Sequence, residues 1–329
     1  MKKLTLGVVT LLFCVCLASF AFAADKKIVS VRIAHTASED SSLGVGSLKL
    51  QELLNGSGLF KTQVYPNAQL GGDRELLEAL QNNDVQVVMG NTAHSVVFTP
   101  GAGIFDLPFA YRTKKDARSA INDKDFFAAI SEEYGKSKFH LLGFTDMGLK
   151  VLTANIRVTK PDDIKGLVMR VMENPIHIAL WKAIGANPTP IPFNEVYTAL
   201  QQGTCDALEQ AVELLYASKF YEQQKFATET NHLLHIIVWL SNKEFYDSLS
   251  PEHKEVFDAS VQGMLKTALA YSDDNYPRFV DLLKKFGVEF VPLTEAEWQA
   301  FSDKAKGTWP MIEKAVGPKV YNAYLSSKK

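Results

Sequence analysis

Arg170 ends a short apolar run, Leu167-Val168-Met169-Arg170-Val171-Met172, and an arginine in that place has a specific chemical use. Its guanidinium is a rigid, permanently charged plane that matches a carboxylate with two parallel hydrogen bonds. The run follows Pro161-Asp162-Asp163-Ile164-Lys165-Gly166, which reads as a helical turn, and gives way to Glu173-Asn174-Pro175. A charge set where a strand passes into a loop faces a cleft; a structural salt bridge is the alternative use of the same residue. Other polar side chains stand at comparable places. His35 ends the first apolar strand, facing either cleft or core, and Asn91 lies just past residues 85–89. That is where open α/β sheets bind ligands, although a turn-forming role also suits an Asn there. Glu173 and Asn174 follow the arginine strand directly, and Asn174 also suits the N-cap of the next helix. Glu213 is placed to accept from a ligand hydroxyl or ammonium group. Trp239 and Trp181 read as core residues with the option of stacking on an aromatic ligand.

Catalysis needs more than an arginine. The chain carries no Gly-x-Ser-x-Gly elbow, no His-Glu-x-x-His and no phosphate-binding glycine loop. His232 and His235 are spaced i, i+3 without a Cys or carboxylate beside them, which is not a metal-binding pattern. The expectation is a binding protein with no catalytic residue, no metal and no cofactor.

Composition narrows the setting. The 329 residues hold 35 Lys and Arg against 37 Asp and Glu, a net charge of −2. There is no basic tract, which argues against nucleic acid as partner. Met1-Lys2-Lys3, an apolar run over 4–22 and Ala21-Phe22-Ala23 form a secretory leader expected to be cut after Ala23, giving an exported protein. Its removal discards Cys14 and Cys16 and leaves Cys205 alone. One thiol forms no internal disulfide, so the stability must come from a large core.

The elements that would position these residues alternate. Strands are expected over 29–34, 60–65 and 85–89, with helices over 44–54 and 74–81 between them, the second capped by Asp73 with Arg74 beside it. The alternation resumes with strand-like segments at 139–144, 150–155 and 167–172, helices over 175–184 and 194–201, a short segment 207–210 and a strand over 233–240. A single helical pattern then runs from Pro251 to about Phe286, through Gly263 and past Pro277. This is an α/β chain with mostly parallel sheets and a helix long enough to span two lobes.

Several segments, taken in order, resemble a known family. They are Tyr65-Pro66-Asn67-Ala68-Gln69-Leu70-Gly71-Gly72-Asp73-Arg74-Glu75, Phe105-Asp106-Leu107-Pro108-Phe109, the arginine strand, and Gly185-Ala186-Asn187-Pro188-Thr189-Pro190. Asn194-Glu195-Val196-Tyr197-Thr198-Ala199-Leu200-Gln201-Gln202-Gly203 and Lys219-Phe220-Tyr221-Glu222 complete the set. Together they resemble the DctP-type solute-binding proteins of tripartite ATP-independent periplasmic (TRAP) transporters over nearly the whole mature chain.

The resemblance implies a bilobal, Venus-flytrap receptor that closes on a small organic acid and delivers it to TRAP permease membrane subunits driven by an ion gradient. An exported sensor serving a membrane kinase is the alternative. It implies lobe I over 24–147 with about 236–275, and lobe II over 148–235 with about 276–329. It makes Arg170 the holder of the ligand carboxylate and Phe193, after Pro190-Ile191-Pro192, a wall of the cleft. The family's Arg-x-x-Thr reads Lys150-Val151-Leu152-Thr153 here, so Lys150 stands as the second basic ligand residue. The family's Asp-Gly-x-Glu-Asn reads Asp206-Ala207-Leu208-Glu209-Gln210, so Gln210 replaces the ligand-facing Asn. C4-dicarboxylates, keto acids, sugar acids and aromatic acids all suit one arginine with a variable surround. The two replacements favour a monocarboxylate or sugar acid.

Overall fold

The computed structural model describes residues 27–326; the expected leader and its cleavage site lie outside them. The first half holds β1 (Val29–Ala34), β2 (Phe60–Tyr65), β3 (Val87–Asn91) and the start of β4 (Phe139–Ala154). The second adds β5 (Val168–Val171), β6 (Asn187–Pro190), β7 (Ala207–Ala211), β8 (Phe226–Thr228), β9 (Leu234–Asn242) and β10 (Glu289–Val291). The strand order is β2-β1-β3-β9-β4-β7-β5-β6, with β8 on β4 and β10 on β8.

In the first lobe β1 pairs in parallel with both β2 and β3. The crossover helices Ser42–Gly56 and Asp73–Gln81 bury their apolar stripes against this sheet. In the second lobe β5 pairs in parallel with β6 and β7. Helix Pro175–Ile184 starts on Pro175, whose missing N–H costs nothing in the first turn, and stops at Gly185 with φ 125°. Apolar clusters line both faces of each half-sheet, so each lobe has its own core.

β4 joins the lobes. From Phe139 to Leu149 it pairs antiparallel with β9, and from Lys150 to Ala154 it pairs antiparallel with β7. The segments expected at 139–144 and 150–155 are therefore one strand of 16 residues. Its register slips between Leu141 and Gly143 and again between Asp146 and Leu149, where Gly148 has φ 84°. Irregularity at that point blurs the period-two pattern without ending the strand.

Helix Pro251–Lys285 runs 35 residues and passes through Pro277. It packs on helix Ser42–Gly56 in one lobe and on helix Val212–Ala217 in the other, tying both together along their backs. The chain end departs from expectation. Helix Glu295–Ala305 packs on Pro175–Ile184 in the second lobe, but Trp309–Val316 and Pro318–Ser326 return to the first. Ile312, Val316, Val320 and Tyr324 share a core with Phe105 and Phe126 there, Tyr324 lying 5.0 Å from the Phe126 ring. The assignment of 276–329 to the second lobe fails for these two helices, because Trp309–Val316 buries its apolar face on Pro100–Asp106 and Pro318–Ser326 on helix Lys124–Lys136.

Candidate ligand-binding site

Parallel strands aim their carboxyl ends one way, and here both lobes aim them at the same space. Thr36 and Ala37 follow β1, Asn91 closes β3, Met172 follows β5, and Gln210 sits near the end of β7; all line one cavity. His235 and Ile237 on the connecting strand β9 line it as well. The lobes meet beside it: Asn174 Nδ2 donates to the Ala93 carbonyl at 3.0 Å, and the Ser42 N–H donates to Glu213 Oε1 at 2.6 Å.

Arg170 is 1% exposed and lines this cavity. Its Nε and Nη2 both donate to the Ile191 carbonyl, at 2.9 and 2.7 Å. One edge of the guanidinium is thereby fixed, and among the described residues Nη1 has no protein acceptor. Burial lowers its pKa to about 10, against the pull of Glu209 and Asp73, so it stays charged at neutral pH. A buried, oriented cation with free N–H groups is a preorganised carboxylate site.

The other expected residues divide. Phe193 and Gln210 line the cavity with Arg170, Phe193 braced edge-on by Phe220 at 5.9 Å between centroids. The Gln210 carbonyl oxygen accepts from Ala211 N at 3.0 Å, leaving its amide N–H groups for a ligand. Asn91 also lines the cavity, and it serves the cap role as well, its Oδ1 accepting from Ala93 N at 2.9 Å.

Six expected residues do not line it. Trp239 is core: its Nε1 donates to Thr145 Oγ1 at 2.9 Å and its ring lies against Gly46, because two further residues along β9 keep it on the face of Ile237 but carry it away from the cleft. Asn174 caps helix Pro175–Ile184 and spends its amide on Ala93 and Asp106. Glu173 is exposed. His35 is buried against Ser47 Oγ at 3.1 Å, and burial pushes its pKa down to about 4. Glu213 receives the N-terminus of helix Ser42–Gly56 across the lobe boundary instead of facing the cavity. Burial raises its pKa despite that hydrogen bond.

Lys150 is the most instructive correction. Its Nζ is buried 3.4 Å from Glu209 Oε1. Glu209 is also held by His177 Nδ1 and His232 Nε2, and His177 Nε2 donates to Asp106 Oδ1 at 2.9 Å. Burial opposes charge on His177, but Glu209 and Asp106 outweigh it and raise the pKa to about 9. His232, whose charge burial suppresses, accepts a hydrogen bond at Nδ1 from the Thr230 hydroxyl over 2.8 Å and donates at Nε2. Two carboxylates thus balance one ammonium and one imidazolium, and Lys150 is a counterion within the protein.

Four polar lining residues, Asp73, Thr36, His94 and His235, were not foreseen as ligand groups. Asp73 was read as a cap, but Gly72 occupies that position and Asp73 opens the helix with its carboxylate in the cavity. Thr36 Oγ1 donates to Asp73 Oδ1 at 3.1 Å, and His94 Nε2 lies 3.6 Å from Oδ2. His94 and His235 are kept neutral by burial. The signal for Asp73 was available: an acid at a helix start directly after a double glycine, near the end of a parallel strand.

Comparison with known proteins agrees with this architecture. The family model "Bacterial extracellular solute-binding protein, family 7" (DctP) matches residues 33–315. The 2,3-diketo-L-gulonate-binding periplasmic protein YiaO of Escherichia coli is 30% identical over 281 residues, 83% of this chain and 84% of that one. A TRAP periplasmic solute-binding protein from Shewanella oneidensis, solved with bound succinate, superposes with a TM-score of 0.87 at 30% identity, over 92% of this chain and 99% of that one. The sugar acid binding protein DctPAm of Advenella mimigardefordensis, in complex with galactonate, superposes with a TM-score of 0.88 at 25% identity, over 92% and 99%. The bilobal fold, the cleft between carboxyl strand ends and the match over most of the length lead to one conclusion: the chain belongs to the DctP family of bacterial extracellular solute-binding proteins.

Proposed function

We propose that this protein captures a small organic acid by closing its lobes around a carboxylate held by Arg170, and hands it to a TRAP membrane permease without performing chemistry on it. The observation that carries this reading is the Arg170 guanidinium, buried and fixed by the Ile191 carbonyl with Nη1 left free. Relatives bind succinate and galactonate, two acids that share only the carboxylate and a short carbon chain. Charge-assisted hydrogen bonds contribute roughly 1.5–3 kcal/mol each, so two or three of them with aromatic burial on Phe193 supply the ~8 kcal/mol of a micromolar complex. Closure follows because the ligand touches both lobes only when they are together.

The hinge in this reading crosses β4 and β9 where β4 changes partner, between the Leu149–Leu234 pair and Lys150. The leader over 1–23 fits export with cleavage after Ala23. Thermal unfolding of residues 24–329 against a panel of organic acids at millimolar concentration tests the proposal. A ligand at 100 times its Kd adds roughly 2.7 kcal/mol, and the expected result is a raised Tm with one class of acid. A flat response to every acid, after partial unfolding to strip any co-purified ligand, would refute the carboxylate reading.

A further inference from the structure

We propose that the first-lobe wall of the cleft selects a monocarboxylate bearing hydroxyl groups and turns away a second carboxylate, with Asp73 as the specificity-determining residue. This rests on Arg170 as the anchor of the first carboxylate.

The argument is an inventory of charge and of donors. Arg170 is the one permanent cation among the described residues that line the cavity. Lys150, the other candidate, is committed to Glu209. Asp73 brings a negative charge to the opposite lobe's wall, and His94 and His235 bring none, since burial keeps both neutral. A dicarboxylate spanning from Arg170 to this wall would set an anion against an anion with no free cation between them, a repulsion several-fold stronger in a closed, water-poor cleft than in water.

A hydroxyl fits the same place. Asp73 is acceptor-only; one oxygen takes the Thr36 hydroxyl at 3.1 Å and the other lies 3.6 Å from His94, leaving lone pairs for a ligand donor. The amide N–H groups of Asn91 and Gln210 are left to donate, since their oxygens are already engaged by Ala93 and Ala211. His235 Nδ1 is buried without a partner, and a neutral imidazole offers one donor and one acceptor. Such a wall asks for groups that both donate and accept. Hydroxyls do both. A carboxylate only accepts, so it fails at Asp73, and an ammonium only donates, so it fails at Asn91 and Gln210.

The test uses acids matched in carbon skeleton, titrated calorimetrically into residues 24–329. Erythronate is paired with meso-tartrate and galactonate with galactarate, each pair differing only in whether the far end is CH2OH or carboxylate; hexanoate supplies a chain without hydroxyls. The expected result is that a hydroxy monocarboxylate binds and its dicarboxylate partner binds at least about 100-fold more weakly. Asp73→Asn, checked for folding by circular dichroism, narrows that ratio by about tenfold or more. The proposal is overturned if the dicarboxylate of a pair binds as tightly as its partner, if hexanoate binds as tightly as galactonate, or if Asp73→Asn leaves the ratio unchanged. Those results leave Arg170 as the anchor. Silence from every acid in the set removes both this proposal and the reading beneath it.

Discussion

Arg170 and Lys150 look alike in the sequence, a cation on an apolar strand, yet the fold sets Arg170 on the cavity wall and Lys150 against Glu209. Arg170 was legible because its strand ends where a parallel sheet opens, and position along a strand is local information. Lys150 was misread because what claims it, Glu209 with His177 behind, is brought there only by the pairing of β4 with β7. Trp239 took the core use the sequence offered and not the stacking one, since alternation along β9 says which face it takes, not how far it lies from the cleft. Asp73 was visible but assigned to the commoner use of an acid at a helix start. The Lys150 assignment is testable. Lys150→Met leaves Glu209 one partner short in a buried site, and stability should fall by on the order of 3 kcal/mol in urea unfolding. Acid binding by the folded variant should stay within about tenfold of wild type. A loss of binding comparable to that of Arg170→Ala, with unchanged stability, would return Lys150 to the ligand site.

Most elements follow from pattern and punctuation, because helices of 3.6 and strands of 2 residue periodicity are set by each segment's own burial. Residues 29–34, 60–65 and 175–184 match the expected spans at both ends. Local pattern gave no element for helices Lys114–Ile121 and Lys124–Lys136, the short strands β6, β8 and β10, or the three helices after Thr294, and it split β4 into two strands because the slip around Asp146–Leu149 removes the alternation at the crossing between lobes. Gly148 makes that slip possible: its φ of 84° is one that other residues adopt at a cost. A Cβ there would meet Tyr276 no closer than 3.7 Å, so crowding adds little. Gly148→Ala should therefore lower stability by about 1 kcal/mol, measured by urea unfolding. A neutral result would mean that the crossing relaxes into ordinary strand geometry.

At the scale of the molecule, the two lobes and the long helix behind them were readable from the order of elements, while the return of the last two helices to the first lobe was not. Nothing in an amphipathic helix says which of two cores will receive it. The Asp106–His177–Glu209–Lys150 cluster also works at this scale, since Asp106 lies in the first lobe and His177 and Glu209 in the second. His177 has its pKa raised to about 9 from 6.5 in the folded protein. Its contribution is thus complete below pH 6.5 and is lost as the pH climbs through 9. Thermal melts across that range should show a falling Tm for wild type and a flatter profile for His177→Gln; equal slopes would contradict a charged His177. The central claim is capture of a carboxylate by Arg170 between closing lobes. It is tested most directly by calorimetric titration of the best-binding acid into wild type and Arg170→Ala, with the fold of the variant verified by circular dichroism. The account predicts that the folded variant binds at least about 100-fold more weakly, the loss of two charge-assisted hydrogen bonds. Wild-type affinity in a folded Arg170→Ala protein would contradict it.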